Sequence, residues 1–344
     1  METEILKSPK ERNTSMDFIK GISCIFVVFI HIRFPGNIGQ IIVALGRAAV
    51  ALFFAVSGYY IYYESIEKRY KKLINKTKRT AILMVQALLI YLIWECLVRL
   101  VGSGIPSVIE YLRTVFSLRS IATVLCFSHD PVVGHLWFLI ALTEAYMLFM
   151  LLFHFGVKVS WVWTVVLLEI HIVCMSLSNL RGYDIPLYVF RSVWFYAMPC
   201  MILGYALHKH ENVIVRKIHT VIPFLCIAIG CLLTLIERLT IGVLQFYNGT
   251  LLVLIGLFFW TVKNPVKHKN HLLTKIGREY SRDIYIYHWM VGEILDKVIR
   301  VLRLSETFIA WLIPLLTLVF TLIGVALLKQ IQMKVKRNLI LCEK

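Results

Sequence analysis

Stretches of about twenty mostly apolar residues recur along this 344-residue chain, and each is long enough to cross a bilayer as a helix. Roughly ten qualify: 17–35, 43–63, 80–101, 134–154, 160–177, 186–207, 220–236, 244–262, 281–299 and 307–328. A bilayer interior holds no water to satisfy a bare N–H or C=O, so each spanning segment must close its own hydrogen bonds, and a helix does so. The expected fold class is therefore all-α, a polytopic membrane protein of about ten transmembrane helices. Composition points the same way. Hydrophobic residues make up 59% of the chain and mean hydropathy is +0.75, more apolar surface than one soluble core of this length hides.

The basic residues orient the bundle, because Lys and Arg in short loops are retained on the cytoplasmic side. Counting from an internal N-terminus, residues 1–20, 64–79, 154–159, 208–219, 263–282 and 329–344 hold 26 of the 37 Lys and Arg, against seven on the opposite side when Arg33 at the outer end of the first span is counted with the loops. The densest cluster is Lys68, Arg69, Lys71, Lys72, Lys76, Lys78 and Arg79. Both termini are thus expected in the cytoplasm. The formal charge of +17 comes from residues that punctuate apolar spans, with no basic, aromatic-interleaved domain, so nucleic acid is excluded as a partner and contact with anionic lipid headgroups explains it.

The domain organisation expected is a cytoplasmic segment over 1–16, a membrane domain over 17–328 and a basic cytoplasmic tail over 329–344. That tail suits either a natural terminus or a linker to a fused or associated cytoplasmic domain. The longest non-membrane stretch, 102–133, is broken at Gly102, Gly104, Pro106 and Pro131, and its middle, Ile109 to Leu125, has the character of an interfacial helix. The eight cysteines form no C-x-x-C pair, so neither a disulfide nor a metal site is expected. Asn248-Gly-Thr has the form of a glycosylation acceptor but falls inside a span.

Ionisable side chains inside a bilayer cost about 2.5–3.5 kcal/mol each, so every one raises a functional question against the plainer reading of a helix-to-helix hydrogen bond. Lys20 and His31 are eleven residues apart, close to three helical turns, which sets them on one face about 16 Å apart along the axis. An imidazole near neutral pKa is the commonest group for taking a proton from an alcohol that attacks an acyl carbon. Arg47, near the outer end of the second span and level with His31, can snorkel or hold an anion. Ser57 and Gly58 in the same span are small enough for close helix approach. His135 opens the fourth span with Glu144 about two turns deeper, and His288 sits well inside the ninth, where it would line a cavity. Glu95 and Arg99 are four apart and can pair with each other. Glu169, His171 and Arg191 read equally as structural.

These segments resemble the acyltransferase 3 family of bacterial integral-membrane O-acyltransferases. Asp17-Phe-Ile-Lys20-Gly21-Ile followed by an apolar run to His31 is similar to that family's Arg/Lys, ten residues, His signature. Phe53-Phe54-Ala-Val-Ser57-Gly58 is similar to its Phe-Phe-x-x-Ser-Gly element, and Lys76-x-x-Arg79 to its Arg-x-x-Arg, with Lys in the first position. His135-Leu-Trp-Phe-Leu and Ile284-Tyr-Ile-Tyr-His288 are similar to shorter, later motifs. The resemblance implies a multi-pass protein of the bacterial plasma membrane. It implies a cytoplasmic acyl-CoA co-substrate, no bound cofactor, and an extracytoplasmic acceptor hydroxyl such as that of a cell-envelope glycan. On that reading His31 is the general base, Lys20, Lys76 and Arg79 bind the donor's phosphates, and Arg47 and His288 line the acceptor side or steady the oxyanion.

The chain also departs from the family pattern. Helix three lacks the proline often found after the paired basic residues, and no esterase-like domain is fused to it. Gly46-Arg47-Ala-Ala-Val and Ser-Gly-Tyr resemble a Gram-positive subgroup that includes the membrane domain of the serine racemase of vancomycin resistance. There the resemblance implies uptake of L-serine without acyl transfer, the serine carboxylate pairing with Arg47 or Arg191. The enzyme reading is favoured because Lys20, His31 and Lys76-x-x-Arg79 together supply a donor site.

Overall fold

The computed structural model describes residues 12–302 and 306–342, and all regular structure among them is helical. The helices are α1 (Thr14–His31), α2 (Gly36–Tyr59), α3 (Ile66–Val115), α4 (Leu118–Phe127), α5 (Trp137–His154), α6 (Trp161–Arg181), α7 (Leu187–Phe190), α8 (Met198–Lys209), α9 (Glu211–Lys217), α10 (Ile222–Thr240), α11 (Asn248–Lys263), α12 (Leu272–Lys275), α13 (Ser281–Val301) and α14 (Glu306–Cys342). Two π-helical turns, Val193–Ala197 and Ile276–Tyr280, lead into α8 and α13. Each of the ten apolar segments is helical. Among the described residues, eight helical stretches are long and apolar enough to span a membrane. The remaining two segments are α11, at 16 residues, and α13, which is charged at both ends.

Several boundaries differ from the sequence reading. Helix α1 begins at Thr14, three residues early, because the Asn13 side chain accepts the Met16 N–H at 2.9 Å and Asp17 places an anion in the first turn, where the helix dipole favours it. The basic cluster after α2 is no loop: α3 starts at Ile66 on a Ser65 cap, and the lysines and arginines, good helix formers, extend the helix beyond the apolar span. The basic tail likewise continues α14 to Cys342, since no Gly or Pro follows Gly324 to stop it. Residues 1–11, 303–305 and 343–344, which include most of the expected N-terminal segment, lie outside the described residues. The expected interfacial helix at Ile109 to Leu125 is instead two pieces. Gly104, at φ 75°, breaks α3 as it leaves the span, and Ser117 ends one piece and caps α4 through the Ser120 N–H at 3.2 Å. The single span expected over 186–207 is interrupted between α7 and α8 by the first π turn.

The chain forms two compact units. Unit one comprises the described residues up to Ala49, with Glu211–Cys231 and Leu252 onward; unit two comprises Val50–His210 and Leu232–Leu251. In unit one α1 packs on α12, the second π turn and α13. The approach is backbone to backbone: a Cβ on Gly21 would overlap the Leu273 carbonyl, and one on Gly277 would overlap the Asp17 carbonyl. In unit two α2 and α8 meet in the same manner, Gly58 against the Met201 carbonyl and Gly204 against that of Ala55. Small residues at such crossings give helices in lipid the close packing that hydrophobicity alone cannot supply there. The outer face of α3 shows the complementary pattern. Ile82, Val85, Leu89, Ile93, Leu97 and Leu100 are exposed at helical spacing, which makes one continuous stripe for lipid.

Candidate active site

Helix α1 carries polar groups at both ends of an otherwise apolar rod. At its N-terminal end the buried Asp17 carboxylate accepts two bonds from Arg12, from Nε at 2.6 Å and Nη2 at 3.0 Å, and a third from Lys20 Nζ at 3.5 Å. Lys20 is therefore held in place by an anion one turn earlier on its own helix. The Gly21 and Gly277 contact explains why it sits there. Only with no side chain at either position can α1 press on the π turn and fix the register of Asp17 and Lys20. Beyond that turn, Lys329 Nζ lies 3.7 Å from Asp283 and 4.7 Å above the Tyr280 ring, while Arg282 Nε donates to Asp283 at 2.7 Å.

At the other end of α1, His31 meets two rings of α13. Its centroid is 5.1 Å from that of His288, with the planes inclined at 48°, and 5.8 Å from that of Trp289, nearly perpendicular. His288 is fully buried and its Nδ1 lies 3.0 Å from the Ile284 carbonyl oxygen. A carbonyl only accepts, so Nδ1 carries the proton and, in the neutral ring, Nε2 carries the lone pair. Trp289 Nε1 donates to Glu293 at 3.1 Å, which fixes the indole. Gly46 faces Ile30 and Phe26 of α1, and the next residue, Arg47, is buried.

A family model for an acyltransferase domain matches residues 13–329, from the Asn13 cap of α1 to the Lys329 that reaches Asp283. The chain belongs to the acyltransferase 3 family. No curated protein and no solved structure matches it.

Unit two of this acyltransferase 3 protein holds the remaining candidates, most of them with a defined partner. Lys76 approaches Tyr146 from one turn of α3, with Nζ 3.4 Å from the hydroxyl and 5.4 Å from the ring centre; Arg79, three residues on, is exposed. Ser57 donates to the Phe53 carbonyl of its own helix at 2.8 Å. His135 is buried edge-on to Tyr91, with centroids 4.8 Å apart. Glu144 accepts the Ser128 hydroxyl at 2.5 Å, and that hydroxyl oxygen in turn accepts the Val193 N–H at 2.9 Å. Ser128 is fully buried at φ 54°, a left-handed conformation that the two bonds hold in place. Arg191 Nε donates to Gln245 at 2.9 Å, Glu95 and Arg99 pair at 3.6 Å as expected, and His171 bonds the Phe195 carbonyl, exposed by the π turn, at 3.0 Å.

Two carboxylates in unit two escaped the sequence reading. Asp130, 2% exposed, accepts the backbone N–H groups of Val132 and Leu136, both at 2.9 Å, and so folds the loop after α4 onto the start of α5. Burial pushes its carboxyl above the ordinary range even though these and the neighbouring N–H groups pull it down. Glu237, also buried, accepts from the N–H groups of Asn248 and Gly249 and from Asn248 Nδ2 at 2.8 Å, capping α11 and occupying the side chain of the apparent glycosylation acceptor. The Asp-Pro step at Asp130 was the one visible signal of a turn there; nothing local distinguished Glu237.

Proposed function

We propose that this protein moves an acyl group, acetyl by the resemblance, from a cytoplasmic acyl-CoA to a hydroxyl of an extracytoplasmic cell-envelope glycan at a bacterial plasma membrane. The observation that carries the reading is the meeting of His31 with the buried His288 at one end of the helix whose other end presents Lys20. In the reaction His31 takes the proton of the acceptor hydroxyl as its oxygen attacks the thioester carbonyl carbon. The tetrahedral intermediate collapses, the C–S bond breaks, and the proton on His31 passes to the departing thiolate. His288 has spent its N–H on the Ile284 carbonyl, so it acts as an acceptor that steadies the protonated His31 and does not donate to the oxyanion. Stabilising that oxyanion falls to Arg47, the buried cation that follows the Gly46 contact with Ile30. Lys20 compensates phosphate charge on the donor, exchanging one anion, Asp17, for another.

Binding separates this reading from serine uptake. Protein in nanodiscs is titrated with acetyl-CoA and, separately, with L-serine. Saturable acetyl-CoA binding that weakens in Lys20→Ala supports the acyltransferase; serine binding without acetyl-CoA binding overturns it.

A further inference from the structure

One cavity in unit two plays no part in the chemistry above. It has a volume of about 410 Å³ and lies between the end of α5, the turn after it, the start of α6 and the stretch that leads from the first π turn into α8. Hydrogen bonds fix its frame. Val157 N donates to the Leu152 carbonyl at 2.8 Å and Gly156 N to that of Phe153 at 3.2 Å. The chain thus turns sharply off α5 at Gly156, whose φ of 67° suits a glycine. Thr164 Oγ1 donates to the Pro199 carbonyl at 3.0 Å and ties α6 to α8. Trp194 Nε1 donates to the Cys126 carbonyl at 2.9 Å and holds the wall at the π turn.

The lining is apolar with one exception. Met198 and Ile202 are buried at its base, whereas Leu151, Phe155, Trp163 and Trp194 are 47–74% exposed around it. Lys158 is the single charged residue of the lining, and the segments that supply the walls, 145–168 and 186–210, contain no acid. Because α5 ends at His154 and α6 begins at Trp161, Lys158 lies past the ends of both helices, and the apolar walls run from there along them. Trp194 and Ile202 are eight residues apart, about 12 Å at the helical rise, which gives the hollow the length of a run of methylenes. An open apolar hollow with a cation at its end has two chemistries to satisfy, hydrocarbon along the helices and an anion beyond them.

We propose that this cavity binds one phospholipid with an anionic headgroup, an acyl chain lying in the hollow and the headgroup phosphate meeting Lys158. The chain supplies the atomic contacts that an empty hollow forfeits. The lysine, on walls without an acid, favours a headgroup of net negative charge over a zwitterionic one. The proposal does not depend on the acyl-CoA reading.

The test uses the full chain in detergent with phosphatidylglycerol or phosphatidylcholine of identical chains, bound lipid being counted by native mass spectrometry. Wild type is expected to retain one phosphatidylglycerol and to bind it about fivefold more tightly than phosphatidylcholine, the value of one lysine near an anionic headgroup. Lys158→Gln levels the two. Leu152→Trp and Val159→Trp, which fill the hollow from α5 and from the turn, lose the retained lipid of either kind. Equal binding of both lipids by wild type, unaltered in Lys158→Gln, overturns the proposal. Retention unchanged in both filling variants overturns it too, by placing the lipid elsewhere. A wild-type dimer without retained lipid, dissociated by either filling variant, overturns it in favour of a second copy of the chain. Should the filling variants fail to fold, fluorescence decides. Phosphatidylglycerol brominated on its chains is expected to quench wild type more than Trp163→Phe, and unbrominated phosphatidylglycerol relieves that difference at about fivefold lower concentration than phosphatidylcholine. No difference between wild type and Trp163→Phe, or equal relief by the two lipids, overturns the site.

Discussion

The two units treat their polar residues differently. In unit two most buried polar side chains reach groups that do not ionise near neutrality: Glu144 holds a serine hydroxyl, Asp130 and Glu237 hold backbone N–H groups, and Arg191 holds an amide; the Glu95–Arg99 pair within α3 is the exception. In unit one ionisable groups meet each other, Lys20 and Arg12 on Asp17, Lys329 on Asp283, and His31 beside His288. A charge answered by a fixed dipole serves to hold a loop or a helix end. A proton-bearing group placed beside another can exchange protons or counter-ions, as a reaction requires. On the proposed function, the contrast puts the proton transfer in unit one and leaves unit two mostly to scaffold.

Perturbing the scaffold in either unit should break the contrast most severely. Gly277→Val drives a branched side chain into the Asp17 carbonyl, and overpacking against backbone costs about 1–3 kcal/mol or more. The expected result is loss of monodisperse protein by size-exclusion chromatography, whereas recovery at wild-type yield would show that α1 can move away. Next comes Asp130→Ala, which leaves two buried N–H groups without their acceptor at about 1–3 kcal/mol each. It should lower the detergent-solubilised Tm by several degrees while acetyl-CoA affinity stays put. A loss of affinity with no loss of stability would move Asp130 from scaffold to site.

Smaller effects sharpen the division. Lys20→Ala should raise the Kd for acetyl-CoA about tenfold, the value of one charge-assisted bond, and Arg79→Ala should act in the same direction by less, since Arg79 is exposed to water that screens it. Isothermal titration reads both. The smallest change is expected from Ser57→Ala. Its hydroxyl bonds its own helix, so stability should move by within about 0.5 kcal/mol, and a large loss of turnover would instead place Ser57 against substrate.

The bundle was legible because hydrophobic length is a local property, and bilayer physics acts on it one segment at a time. Helix ends were less so. The extension of α3 back to Ile66 and of α14 on to Cys342 follows from residues that favour helix wherever they lie, so hydropathy marks where the membrane ends and not where the helix does. The contact of α2 with α1 at Gly46 and Ile30 followed from antiparallel succession. The partnership of His31 with His288, 257 positions later in the chain, did not, because no periodicity spans that distance. Asp130, Glu237 and the cavity at Lys158 were hidden for the same reason: each is defined by what packs against it.

The central claim is that His31 performs proton transfer in an acyltransferase and is no structural histidine. It is tested by measuring CoA release from acetyl-CoA in nanodiscs supplied with cell-envelope glycan, in wild type and His31→Ala, with acetyl-CoA affinity measured on the same samples. The account predicts wild-type affinity and a turnover at least about a hundredfold lower in the variant. Full turnover from correctly folded His31→Ala would contradict it.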